Sequence, residues 1–323
     1  MAQLYTRFAA LCRQQPLLAV LLSGGLSALL AQAGMLTGMA LLFLLLAPFP
    51  LLALGFNQAP QAVVLAGVVA WGAHSLLIWP FLDGETGAFL NQENLLFFAR
   101  VILPALLLSY VAWGAQAVGK TAAWVNTVFL MGVVLTLLLC LLLLPQLAPL
   151  AEQLQELSNQ LMAQQGTPLP LAPQTLQVVA GMLPGFIGFM SVLSVFMCVG
   201  LLRRVQPEAL TPMRRQPLAV FVPLLFCASL AIGSQPSAVV SEQAMVDVVY
   251  YARNLALMTA APLLMIGFSV LYTFGAHWSV SKPVLIALTV FAVLSFYPLL
   301  LVLALGLVEP FTSSRQRLLN GSH

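Results

Sequence analysis

Leu44-Leu45-Leu46-Ala47-Pro48-Phe49-Pro50-Leu51-Leu52-Ala53-Leu54-Gly55-Phe56 lies in the middle of a charge-free run, Gln14 to Leu82, with no Asp, Glu, Lys or Arg. A soluble domain needs a charged surface, and a run this long leaves no room for one. It is long enough for about three membrane crossings at roughly 20 residues each. Pro48 and Pro50 should break the helix that carries them, because proline has no N–H and its ring collides with the preceding turn. In lipid such a break survives only where other helices satisfy the freed backbone groups. Pro48 and Pro50 are therefore predicted to form a structural helix break packed inside a bundle.

The rest of the chain keeps this character. Of 323 residues, 61% are hydrophobic and 7% charged, against about 25% charged in soluble domains. The apolar runs are continuous rather than alternating, which excludes a β-barrel. The expected fold class is all-α: a polytopic transmembrane helix bundle of about nine spans (eight to ten) with an external amphipathic helix. Residues 1–16, with Arg7 and Arg13, read as a cytoplasmic interfacial segment on which Leu4, Phe8, Leu11 and Cys12 share a face. Residues 17–308 read as one transmembrane domain and 309–323 as a polar tail. Spans are expected over 17–33, 35–56, 60–82, 95–118, 122–144, 175–202, 217–233, 250–274 and 283–308. Ala31-Gln32-Ala33 has the form of a signal-cleavage site, but another apolar run follows at once, so 17–33 is read as a span.

Charge sets the expected sidedness. Arg203, Arg204, Arg214 and Arg215 fall in one loop with the single acid Glu208, which marks 203–216 as cytoplasmic. Six spans before that loop put the N-terminus in the cytoplasm as well, in agreement with Arg7 and Arg13. Segment 83–94 holds Asp83, Glu85 and Glu93 and no base, as an external loop should. In 145–173, Leu150, Leu154, Leu157 and Leu161 recur at helical spacing opposite Glu152, Gln155, Glu156 and Gln160, an amphipathic helix for the outer surface. Nine spans place the tail outside although it carries Arg315 and Arg317, a tension within the charge rule. The expected location is the bacterial cytoplasmic (inner) membrane, multi-pass, with the lipid bilayer as principal partner. Nothing in the charge pattern suits nucleic acid.

Few side chains bear chemistry. Arg100 lies inside the fourth span, where a charge costs several kcal/mol unless it pairs or reaches the interface. Arg253 and Asn254 follow Asp247, Tyr250 and Tyr251 in the eighth span. His74 sits beside Trp71 and Ser75 in the third. Arg100, Arg253, Asn254 and His74 are the candidate ligand-binding residues, and each has a plainer reading. The arginines can snorkel, Asn254 can tie two helices, and a neutral His74 can bond a backbone carbonyl. Gly34-x-x-x-Gly38 and Gly181-x-x-x-Gly185 suit close helix packing. Cys12, Cys140, Cys198 and Cys227 form no CxxC, so neither a metal site nor a redox pair is expected. No Walker motif, HExxH, GxSxG or paired intramembrane carboxylate occurs, so no catalytic residues or cofactor are expected and the chain does not read as an enzyme.

Two segments carry a resemblance. One is Pro48-Phe49-Pro50 with Gly55 and the Ala/Gly/Val-rich helix after it. The other is C-terminal: Asn254-Leu255, the run Pro262 to Tyr272, and Gly306-Leu307-Val308-Glu309-Pro310-Phe311 with Arg315 and Arg317. Together they resemble the YybS-like family of predicted bacterial membrane proteins, a domain of unknown function, with Glu309 where that family usually has Asp and His277 only loosely at its histidine position. The family is distantly similar to the substrate-binding S components of energy-coupling-factor vitamin transporters. The resemblance implies a compact six-helix core plus extra helices. The function expected is a small-molecule binding or transport subunit, with 203–216 available to dock another membrane or cytoplasmic protein. The alternative is a non-transporting membrane scaffold or assembly protein.

Overall fold

The structure is a computed structural model that describes residues 2–36, 40–78, 92–117, 124–146, 152, 155, 156, 159, 173–205, 218–235 and 243–320. The described residues are helical, with short turns between helices and no strand. Six helical stretches are long and apolar enough to cross a membrane: Pro16–Ala33, Pro60–Ile78, Asn94–Ala115, Val125–Leu143, Thr175–Arg203 and Asp247–His277. A seventh is counted if the bent pair Lys282–Leu294 and Tyr297–Thr312 is one span. Two shorter apolar helices, Phe43–Asn57 and Phe221–Gly233, fall where the second and seventh spans are expected. Of the expected external helix, Glu152, Gln155, Glu156 and Asn159 are helical and exposed. Its four leucines, and positions 206–216 of the arginine-rich loop, lie outside the described residues. Contacts divide the chain into two compact units, with the stretches Val125–Leu143 and Thr175–Arg203 giving residues to both.

The first unit comprises Met1–Met131, Ser191–Leu218 and Ser314–His323. Its helices are α1 (Ala2–Gln14), α2 (Pro16–Leu36), α3 (Ala40–Leu46), α4 (Phe49–Asn57), α5 (Pro60–Ile78), α6 (Gln92–Phe97) and α7 (Leu103–Ala117), then parts of α8 (Val125–Leu143) and α9 (Pro173–Val205). On α2 the large side chains face out, with Leu17, Leu21, Leu22, Leu26 and Leu29 exposed, while Ala19, Ser23, Gly24, Ser27, Ala28 and Ala31 are buried. A soluble core would reverse that pattern. In lipid the outward leucines meet acyl chains and small residues let backbones approach. A methyl group on Gly24 would lie 2.5 Å from the Ala66 carbonyl and 2.9 Å from Val69, so that glycine is fixed by the α2–α5 contact. Further along, Ala31 and His74 line one cavity. Residue numbers thus rise together on α2 and α5, which makes the two helices parallel, with α3 and α4 as the return between them.

The return helix is interrupted where the prolines stand. Ala47 and Pro48 form a turn between α3 and α4, and Pro50 to Phe56 are all buried. The break frees carbonyls at the end of α3. That of Leu44 accepts the Ala47 N–H at 3.4 Å. That of Leu45 accepts the Ser194 hydroxyl at 2.7 Å and the Cys198 thiol at 3.3 Å, both from α9. At the far end of α4, Asn57 Nδ2 donates to Tyr5 Oη at 2.6 Å, and Gln58 Nε2 donates to the Cys12 carbonyl at 2.7 Å. These bonds fasten α1, whose Arg7 and Arg13 remain exposed.

The second unit comprises Gly132–Met190 and Ala219–Ser313. It adds α10 (Phe221–Gly233), α11 (Gln243–His277), α12 (Lys282–Leu294) and α13 (Phe296–Thr312). A methyl group on Gly267 would collide with the Val302 carbonyl, and one on Gly306 with the Leu263 carbonyl. Those pairs run in opposite order, so α11 and α13 are antiparallel in near backbone contact. Between α12 and α13 the axis turns by 106° at Ser295, and α12 buries only Leu285 and Ala292.

Candidate functional site

Pro104 shapes the neighbourhood of Arg100. It has no N–H to give the Arg100 carbonyl, and its ring would strike that oxygen in a regular helix. The helix widens instead into a π-turn, Phe98–Ile102, in which the Leu103 N–H reaches back to the Phe98 carbonyl. Such turns often sit at functional positions because they re-aim side chains. Here the turn holds the half-buried Arg100 between buried Phe97 and Val101.

One turn of α6 grips His74. The Nδ1 of His74 lies 2.8 Å from the Asn94 Oδ1. The imidazole stacks on Phe97, ring centres 4.1 Å apart and planes 8° apart. His74 and Asn94 are both fully buried. Trp71 meets Phe98 edge to face at 5.4 Å, which fixes α5 against the start of the π-turn. An amide oxygen only accepts, so in this arrangement His74 carries its proton on Nδ1 and the lone pair on Nε2. The expected backbone-carbonyl partner of His74 is thus replaced by a side chain.

These groups surround a cavity of about 50 Å³ in the first unit, lined by Ala31, Leu44, His74, Leu96, Phe97, Arg100, Val101, Ser191 and Ser194. The α3–α4 break contributes to its wall: the bond from Ser194 to the Leu45 carbonyl places Ser194 beside Leu44. Arg100 is the one charged lining residue, and none of the nine is acidic.

Of the four candidate residues the structure brings Arg100 and His74 together. Arg253 and Asn254 belong to the second unit, where both serve the backbone. Arg253 Nε donates to the Gly233 carbonyl at 2.7 Å, closing the C-terminus of α10. Asn254 Oδ1 accepts the Gly185 N–H at 2.6 Å while its Nδ2 donates to the Gly181 carbonyl at 2.7 Å. Gly181 and Gly185 are the two ends of one helical rung, beside Pro184 within α9. The amide therefore bridges the rung adjacent to the one that Pro184, lacking an N–H for the Ala180 carbonyl, leaves open. Glu93, read above as part of an external loop, lies outside the described side chains.

Sequence reading missed Asn94, Phe97, Ser191 and Ser194. Asn94 was counted in a loop, and the serines are unremarkable within an apolar run. The available signal was Pro104, four residues beyond Arg100, which foretells a widened turn. No cluster of three or more His, Cys, Asp or Glu side chains that could hold a metal occurs among the described residues. Compared with protein-family models, with curated proteins and with solved structures, the chain finds no match.

Proposed function

We propose that this multi-pass membrane protein is a small-molecule binding or transport subunit whose ligand occupies the Arg100–His74 cavity. The observation that carries the reading is a cavity lined by Arg100, His74, Ser191 and Ser194, which come from three separate helical segments. Arg100 gives the wall a positive charge that a polar or anionic ligand can use. The cavity is small: drug-sized ligands need roughly 300–1,000 Å³, so a vitamin of the kind bound by S components does not fit it. The YybS-like resemblance is retained for the family and not for its more distant substrate class.

In this reading nine spans cross a bacterial inner membrane, the N-terminus and 203–216 are cytoplasmic, and Arg203 to Arg215 are available to a partner protein. A scaffold role is favoured by the second unit alone, where Arg253 and Asn254 are committed to backbone groups. Mass spectrometry of small molecules that co-purify with the protein tests the binding reading. Arg100→Leu should lose the co-purified species while the protein still inserts and keeps its thermal midpoint. Retention of the species by Arg100→Leu overturns the assignment.

A further inference from the structure

We infer that α12 docks into lipid and not against protein: it is an in-plane helix, sunk among the acyl chains of one leaflet and parallel to the membrane surface. Direction comes first. Helix α11 contains Asp247–His277, which is long and apolar enough to cross a membrane, so its axis marks the membrane normal to within a usual tilt of about 20°. Helix α13 runs antiparallel to α11, and α12 stands at 106° to α13. A helix nearly square to the normal does not cross. The crossing does not need it either, because the 17 residues of α13 reach about the shortest length that spans the hydrocarbon alone.

Levels along α11 agree with the angle. A methyl group on Gly275 would meet Leu285, near the start of α12. Val302 lies level with Gly267 and Gly306 with Leu263, and continuing that pairing back to Phe296 puts it level with about Thr273. The two ends of α12 thus differ by about two residues along α11, about 3 Å, although the helix itself is about 20 Å long at 1.5 Å per residue. The turn that launches α12 is built into the chain. Ser279 takes the left-handed conformation at φ 57°, and the Val280 N–H closes on the Gly275 carbonyl at 2.8 Å, a pairing that caps the end of α11.

The surface of α12 names the occupant. Its buried side chains are Leu285 and Ala292. Val284, Ile286, Leu288, Phe291, Val293 and Leu294 are exposed, and at 3.6 residues per turn they sweep about 220°. A partner helix covers a stripe of about 100°, less than half of that sweep, whereas hydrocarbon covers all of it. A helix lying on the membrane surface turns a charged face to water. The swept arc of α12 has no polar side chain, so α12 lies beneath the headgroups. Its flanks suit that depth. Trp278 and Lys282 precede the arc and Tyr297 follows it, all three exposed, and tryptophan, tyrosine and a snorkelling lysine settle at headgroup level. The apolar surface continues onto α13 through Leu300, Leu301 and Leu305.

Full-length protein with Cys12, Cys140, Cys198 and Cys227 replaced receives one of Val284→Cys, Leu288→Cys or Phe291→Cys, is labelled with a nitrobenzoxadiazole fluorophore and is reconstituted in phosphatidylcholine vesicles. These three positions share one face, so the helix radius does not separate them. Depth is read from quenching by lipids that carry a nitroxide near the headgroup or near the chain end, with iodide as the aqueous quencher. Tyr297→Cys, Leu301→Cys and Val308→Cys, on one face of α13, are the crossing control. The α12 labels should be quenched by lipid nitroxides and agree in depth to within about 3 Å, while the α13 labels deepen by about 5 Å per turn.

A depth that changes from Val284 to Phe291 as steeply as it does along α13 overturns the in-plane reading. Quenching by iodide without quenching by nitroxide places α12 in water, and quenching by neither places it against a partner protein or a second copy of this chain. Both results overturn lipid as the occupant. Where a cysteine variant fails to reconstitute, the unaltered protein is photolysed with a membrane-soluble diazirine. Carbene adducts within 283–294 are expected, and their absence overturns lipid as the occupant.

Discussion

At the scale of single residues, Asn254, Ser194 and Cys198 bond backbone groups that lie beside prolines. Asn254 is the clearest case. Asn254→Leu should cost about 1–2 kcal/mol, since it leaves the Gly181 carbonyl and the Gly185 N–H to find other partners; a lowered thermal midpoint in detergent is the readout. The two glycines of that motif should then behave differently. A methyl group on Gly185 would stand 2.6 Å from the Asn254 carbonyl oxygen and 2.8 Å from its Cα, whereas on Gly181 the nearest atom, in Tyr250, is 4.0 Å away. Gly185→Ala should destabilise the protein more than Asn254→Leu does, and Gly181→Ala should be close to neutral. The spacing of Gly181 and Gly185 was visible in the sequence; their inequality was not, because it depends on which face α11 meets. Tyr5 offers a second test. Burial pushes its phenol up to about 12, against a smaller downward pull from the Asn57 hydrogen bond. A raised acid is protonated in the folded state, so its contribution is complete below the unfolded value of about 10 and is lost as the pH rises toward 12. Tyr5→Phe should remove one late-titrating phenol from the alkaline absorbance titration. It should also cost about 1 kcal/mol through loss of the Asn57 bond.

At the scale of elements, the broken helix and the π-turn position the cavity, and they differ in legibility. Pro48 and Pro50 announce an interruption because two prolines within three residues cannot continue a helix. That the Leu45 carbonyl would be met by Ser194 and Cys198 was not readable, since the two segments lie about 150 positions apart and no periodicity pairs them. Arg100 was visible as a charge in an apolar run; Asn94, His74 and Phe97 were not visible as a group, since α5 and α6 are brought together only by folding. Replacing Ser194 and Cys198 together by Ala leaves the Leu45 carbonyl without either donor. The double variant should lose about 1–3 kcal/mol and weaken ligand binding with it, because Ser194 and Leu44 line the cavity. Either single variant should do less, as the other donor remains. Equal loss from Ser194→Ala alone would show that the thiol contributes nothing, and the double variant would then add no further shift in midpoint.

At the scale of the whole molecule, the sequence signals for class and sidedness come from composition, and packing explains the one place where they conflict. The nine spans expected from the sequence would put the C-terminal tail outside, yet Arg315 and Arg317 favour the cytoplasm. The α11–α13 pairing relieves that tension. Gly306 lies level with Leu263 and Val302 with Gly267, so Thr312, the end of α13, lies level with about Leu257. That is ten residues beyond Asp247 along α11, about 15 Å at 1.5 Å per residue. Helix α13 therefore ends short of the level at which α11 begins, and Arg315 is buried, 1% exposed. The positive-inside rule counts arginines in short water-exposed loops; a buried Arg315 is not among them, which leaves Arg317 alone against the four arginines of 203–216. The proposed topology follows from those four together with Arg7 and Arg13. In a background with Cys12, Cys140, Cys198 and Cys227 replaced, a single cysteine at Glu156, which is exposed and helical, should react with an impermeant maleimide on intact cells. A single cysteine within 203–216 should react only after the inner membrane is opened. The opposite pattern would invert every span, and labelling of both positions on intact cells would require an even number of crossings between them, which would exclude α9 as a single span. The measurement thus decides sidedness for the whole chain from two positions.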